Sequence, residues 1–391
     1  MLFKSVICIF ALLFVAEAAP SFESFHGPSK RCEVNTLKQY DIENETAIDI
    51  GDDPLIPFSS PKLSAVNQTA WEFWFFDSTT ADGNAGISFA FWRDNSHVGL
   101  VNPPLGVLRL QTQVVFPNGT HWIETSWVTD NTISVCKDAT TGVWNKTGST
   151  YSFKTTTDLK HTIITLDSPT LSGTYTLTAT APGVYADGNL WPSRRATAKV
   201  MPYVYWDASV PSGKVTVDFN VAGTPLKFTG IGGHDRNWAS FPLVQAALGW
   251  QESRVNAGPY TVVFWLIGSQ LDGKTYLASV IIKSNKVVFT SKSFTAAKNT
   301  DYMLFSQTHV NDTSIPFDPT KARTTFHLDF VSASKKKEWK FAVDFADPEW
   351  AINDRGFGGI IPASVTGGEV GCKQYSGVGT AMHAEFAPDW V

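Results

Sequence analysis

Short strand-like segments separated by turn residues run almost the whole length of this 391-residue chain, and that pattern limits its fold more than any other feature. The clearest lie at 86–92, 108–116, 161–166, 174–179, 214–220, 260–267, 276–282, 324–330 and 338–345. Pro, Asn, Gly and Ser punctuate them at 117–119, 172–173, 211–213, 222–223, 272–273 and 284–285. Regular short strands with such punctuation specify an all-β fold of antiparallel sandwich or barrel type. In one strand Trp339, Phe341, Val343 and Phe345 share a face that must be buried. The 260–267 run is apolar on both faces, as expected for a strand covered on both sides. Helix signals are scarce, and 239–249 holds the plausible short helix or crossover. The strand pattern restarts beyond it, so two domains are expected, at 45–250 and 251–391.

The N-terminus reads as a processing signal. Lys4 precedes an apolar run, and Ala16-Glu17-Ala18 fits small-x-small cleavage after Ala18. Residues 1–18 are therefore expected to be a signal peptide, and 19–44 an extended polar arm. The apolar run is too short to span a bilayer, and no later segment qualifies. This predicts a secreted or secretory-lumen protein without a membrane span. Sequons at Asn44, Asn67, Asn118, Asn145 and Asn311 agree with that route. The mature chain keeps Cys32, Cys136 and Cys372, enough for one disulfide and one free thiol. The expected pair is Cys32–Cys372, which would staple the two ends to the body.

The net charge of −5 and the lack of a basic stripe argue against nucleic acid as a partner. The cysteines and histidines show no metal-ligand spacing, and no nucleophile elbow, phosphate loop or dinucleotide fingerprint occurs. No cofactor is expected. The chain is instead rich in aromatics, with 14 Trp and 27 Phe. Rings fill β cores, and they also line cavities for apolar or planar ligands.

Two clusters stand out. In Trp71-Glu-Phe-Trp-Phe-Phe-Asp77, strand register puts Trp71, Phe73 and Phe75 on one face and Glu72, Trp74 and Phe76 on the other. Glu72 among indoles would have its neutral form favoured and could donate a proton, or it could reach an arginine in an ordinary core. The second cluster joins Tyr203–Trp206 to Ile231-Gly-Gly-His-Asp-Arg-Asn-Trp238. The two glycines suggest a sharp bend there. Its polar groups present a candidate site or satisfy one another in a structural knot.

These segments resemble the carotenoid 1,2-hydratase (hydroxyneurosporene synthase)-like superfamily, from about residue 45 to the end. Within it the chain is most similar to fungal Diels–Alderases. The signal peptide and sequons resemble the hetero-Diels–Alderases of tropolone–sesquiterpene meroterpenoid biosynthesis. The resemblance implies a two-domain, lipocalin-like β-sandwich plus β-barrel, a pocket in or between the domains, and neither metal nor organic cofactor. The hydratases carry Asp-His-Asn-Trp where this chain has Asp235-Arg236-Asn237-Trp238, and an arginine cannot easily deliver a proton. The implied activity is a cofactor-free cycloaddition of small hydrophobic substrates, an ortho-quinone methide with a terpene alkene. Glu72, His234 and Tyr205 are the expected polarising groups. Trp71, Trp74, Trp206, Trp238, Trp265 and Trp339 are the expected walls. Two other readings stand beside it: a non-catalytic carrier of a hydrophobic metabolite, and a hydratase or isomerase using Glu72 or Asp77 as acid.

Overall fold

The computed structural model describes residues 32–44, 48–95, 105–309, 314–315, 323–346 and 360–385. Among these, the alternating segments form two antiparallel sheets. The first curls into a half-barrel. Its centre is a long hairpin, Val204–Val221 and Thr224–Ala239, turned at Ala222-Gly223 where both residues have positive φ. The 224–239 strand pairs with Trp71–Thr80, then Gly86–Asp94, Leu108–Val115 and His121–Trp127 follow in order. One turn of helix, Leu243–Ala246, leads into the second sheet, which begins at Ala247 and closes nearly into a barrel.

Alternation along the strands sorts the aromatic residues into three layers. Trp74, Phe76, Phe91, Trp144 and Phe153 fill the concave face of the first sheet. Phe264, Phe326, Phe330, Trp339 and Phe341 fill the barrel of the second. Between the sheets lie Trp71, Trp92, Trp206, Trp250 and Trp265. The strand Tyr260–Ser269 contributes to two layers: Val262, Phe264 and Leu266 face the barrel, while Val263, Trp265 and Ile267 face the first sheet. Its two apolar faces follow from that position.

Several expectations change. The disulfide joins Cys32 to Cys136, not Cys372, which is free and exposed. The cause is strand pairing: Glu33–Lys38 lies antiparallel to Asp130–Val135 with Glu33 opposite Val135, so the next residues out, Cys32 and Cys136, face each other. The described part of the arm is thus an edge strand rather than free chain. Asn67 is buried, and its Oδ1 accepts the backbone N–H groups of Thr69 and Ala70. Asn145 is partly buried and bonded to Asp130, whereas Asn44 and Asn118 are exposed. The signal peptide and Asn311 lie outside the described residues. The glycine pair does not end a strand: Thr224–Ala239 runs through it, while its pairing with Val204–Val221 shifts register between Val210 and Gly213.

Candidate active site between the two sheets

Strand register divides both sequence clusters between two faces. In the 71–80/224–239 pair, Trp238 lies opposite Glu72, Arg236 opposite Trp74 and His234 opposite Phe76. All six point into the concave core. Asn237 lies opposite Phe73 and Asp235 opposite Phe75, pointing toward the second sheet.

The core face is an ionic knot. Arg236 Nη2 donates to Glu72 Oε2 at 2.8 Å, and Arg236 also donates to the carbonyls of Phe58, Ser60 and Phe73. Its guanidinium lies 3.9 Å from the Trp74 ring centroid. Glu72 further accepts from Arg93 at 3.4 Å and from the Lys62 backbone N–H at 2.8 Å. His234 stacks on Phe76 at 4.1 Å, with Nδ1 2.8 Å from the Phe75 carbonyl. Burial pulls its pKa down to about 3, so the ring is neutral and Nδ1 carries the donated proton. Beside the knot, burial pulls Lys62 down to about 7 and pushes Asp207 up to about 7, each opposed by the other's charge. These groups brace the 58–62 segment against the sheet.

The other face opens into a narrow cleft, with ≈ 630 Å³ of empty space when the open solvent at its mouth is counted. Its floor is Phe73, Phe75, Ala90 and Trp92, with Trp71 at one end and Trp250, Trp265 and Met382 overhead from the second sheet. Phe73 packs 4.2 Å from Trp92, and the Arg109 guanidinium lies 4.3 Å from the same Trp92 ring. Trp250 donates its indole N–H to Met382 Sδ at 3.2 Å. The rings are therefore locked before any ligand arrives. Polar side chains reach the cleft in two groups, Glu252 and Asn237 on one side, Ser88, Gln111 and Gln113 on the other.

Glu252 is the titratable group of the cleft. It reaches Asp235, which is ion-paired to Arg254; Arg254 Nη1 also lies 3.6 Å from Asp77. Burial, then the Asp235 charge, push Glu252 well above the ordinary carboxyl range. Burial pushes Asp235 up to about 7, with Arg254 opposing and Asp77 adding to the shift. Three carboxyls thus share one guanidinium. Asp235 Oδ1 has no donor unless the Glu252 side supplies a proton. One proton held by the Glu252/Asp235 pair satisfies that oxygen and relieves the repulsion. Gly233 has a structural reason here: a Cβ would overlap the Arg254 guanidinium.

The comparisons with known proteins meet this geometry. The model of the Diels-Alderase-like family matches residues 29–387. The chain belongs to the Diels-Alderase-like family. It is 30% identical to Diels-Alderase poxQ of Penicillium oxalicum over 87% of this chain and 75% of that one. It is also 30% identical to Diels-Alderase cheD of Chaetomium globosum, over 92% and 84%. Among solved structures, CghA with Sch210972 superposes with a TM-score of 0.73 at 21% identity, covering 90% of this chain and 99% of that one, which establishes a shared fold.

In this Diels-Alderase-like chain, Trp71 and Trp265 line the cleft, and Trp206 packs 6.0 Å from Trp265 behind it. Trp74 is on the opposite face of the sheet, and Trp339 is inside the barrel. Trp238 stacks on the half-buried Tyr205 at 5.6 Å, away from the cleft. Glu72 and His234 belong to the knot: Glu72 is held between two arginines rather than left in an apolar, proton-donating site. Sequence reasoning missed Glu252, Asn237, Gln111, Trp92 and Trp250. For Asn237 and Trp92 the signal was period-2 alternation continued from Trp71, Phe73 and Phe75 across the neighbouring strands. For Glu252 none existed, because an isolated acid in a strand reads as solvent-facing.

Proposed function

We propose that this protein catalyses a stereoselective hetero-Diels–Alder cycloaddition, joining an ortho-quinone methide to a terpene alkene in meroterpenoid biosynthesis along the secretory route. Family membership supports an enzyme of cycloaddition. The observation that carries the finer reading is Glu252, a carboxyl set into an aromatic cleft beside Asp235, where its surroundings favour the neutral form. A carboxyl kept neutral by its surroundings can donate a hydrogen bond at neutral pH. Turned from Asp235 to the carbonyl oxygen of a bound heterodiene, its one proton withdraws density and makes the diene more electrophilic. One C–C and one C–O bond then form, and no atom is lost. Asn237 is a second donor beside it. The fixed rings hold the two addends at near-attack geometry, which is worth up to roughly 7–11 kcal/mol in favourable cases. The disulfide and the exposed sequons Asn44 and Asn118 support passage through an oxidising compartment.

The test is incubation of purified protein with an ortho-quinone methide generated in situ and a sesquiterpene triene, followed by chiral chromatography. The expected result is one dominant stereoisomer above the uncatalysed mixture. Binding without turnover would make the protein a carrier. Solvent deuterium at a product carbon would identify protonation of an alkene, and hence a hydratase or isomerase.

A further inference from the structure

Four adjacent strands place Asp235, Phe75, Ala90 and Gln111 in one row. The Glu252/Asp235 pair stands at one end of that row and Gln111 at the other. Three strand spacings of about 4.8 Å separate the ends by roughly 14 Å. Between them the floor is a phenyl ring and a methyl group, and Ala90 is the small residue that leaves the space open. Ser88, on the strand beside Gln111, lines the same edge.

Gln111 is 9% exposed and Ser88 3% exposed; neither side chain has a hydrogen-bond partner among the described residues, and their polar atoms keep some exposure to the cleft. Polar groups this little exposed are normally paired within the protein, and these two instead keep their hydrogen-bonding capacity for whatever fills the cleft. Neither is needed to brace the sheet, whose backbone ladder is complete through this register. Two unpaired groups facing one ligand cleft are binding groups.

We infer that Gln111, with Ser88 beside it, is a second polar anchor of the cleft that determines specificity by taking an oxygen function of the bound pair distinct from the one that meets Glu252. The ligand chemistry is an addend pair that is hydrocarbon in the middle and oxygenated at both ends. The anchor fixes how the alkene lies along the floor, and hence which of its faces meets the heterodiene. This rests on the cleft being the cycloaddition site.

The experiment is a titration of the full chain with farnesene and with farnesol, two C15 terpenes that differ at a terminal hydroxyl. Quenching of the cleft tryptophans is the readout. Wild type should bind farnesol roughly tenfold tighter, the worth of about one hydrogen bond to an otherwise unpaired group. Gln111→Leu should remove that preference while keeping farnesene affinity. Ser88→Ala, a smaller change, should reduce the preference in the same direction. Glu252→Gln should keep it. An undiminished preference in both Gln111→Leu and Ser88→Ala, or no preference in wild type, would overturn the anchor and leave the cleft assignment intact. Failure of either terpene to quench wild type would overturn the cleft assignment itself.

Discussion

Arg236→Met is expected to destabilise the protein while leaving product stereochemistry unchanged. The guanidinium is fully buried and still charged, with its pKa lowered to about 10 by burial. The methionine fills much of the same volume but removes the partner of Glu72, whose remaining contacts are Arg93 at 3.4 Å and the Lys62 N–H at 2.8 Å. Breaking one side of a buried ion pair costs about 3–5 kcal/mol. The substitution also strips donors from the carbonyls of Phe58, Ser60 and Phe73, where each acceptor left dry costs about 1–3 kcal/mol. Relaxation of the 58–62 segment would recover part of this, so the net loss should be about 4 kcal/mol or more. That is a large share of the roughly 5–15 kcal/mol typical of a folded domain. The assay is equilibrium urea unfolding, read as a lower midpoint, together with enantiomeric ratio per folded molecule at 10 °C. An unchanged midpoint with lost stereocontrol would refute the assignment, because it would place Arg236 at the chemistry rather than in the brace.

Four further outcomes follow from the same geometry. Trp265→Ala should loosen the cleft and let the product drift toward the uncatalysed stereoisomer mixture, whereas Trp339→Ala should lower stability without that drift; chiral chromatography beside thermal melts separates them. Ala90→Phe should fill the floor and abolish terpene-induced quenching with stability changed by less than about 3 kcal/mol, the usual scale of overpacking. Cys136→Ser should cost about 2–5 kcal/mol and Cys372→Ser almost nothing, and peptide mapping should recover a Cys32–Cys136 peptide. His234 has a folded pKa of about 3 against 6.5 unfolded, so its contribution is complete above pH 6.5 and is lost as pH falls toward 3. Asp235, raised to about 7 from 3.8, contributes below pH 3.8 and loses that contribution as pH rises to 7. A His234→Phe variant should therefore have a flatter acid limb in stability against pH than wild type.

The fold was legible because alternation and turn residues are local signals. The shared face of Trp339, Phe341, Val343 and Phe345 is buried in the barrel, and the doubly apolar 260–267 run lies between two packed layers. The site was less legible because function depends on which face of a strand looks at which sheet. The two conspicuous clusters each contribute to both faces: Trp71 to the cleft and Trp74 to the core, Asn237 to the cleft with Asp235 buried on the same face, and His234, Arg236 and Trp238 to the knot. Residue type alone cannot choose between those faces. Glu252 and Gln111 are single polar residues in otherwise ordinary strands, and only tertiary pairing brings them to opposite edges of one aromatic floor. The Cys32–Cys136 bond was hidden for the same reason, since it depends on an edge strand formed by a polar N-terminal segment.

The most direct test of the account is the pH dependence of stereocontrolled cycloaddition in wild type and in Glu252→Gln. Glutamine is neutral at every pH and can still donate, though more weakly. If neutral Glu252 polarises the heterodiene, wild-type enzymatic rate is level in mild acid and falls once the Glu252/Asp235 pair gives up its proton in alkaline solution. The variant should then be roughly tenfold to a thousandfold slower, the range for one preorganised donor, with stereochemistry retained and the alkaline fall absent. A variant with the wild-type rate and the same alkaline fall would contradict the central claim that Glu252 is the polarising acid of this cleft.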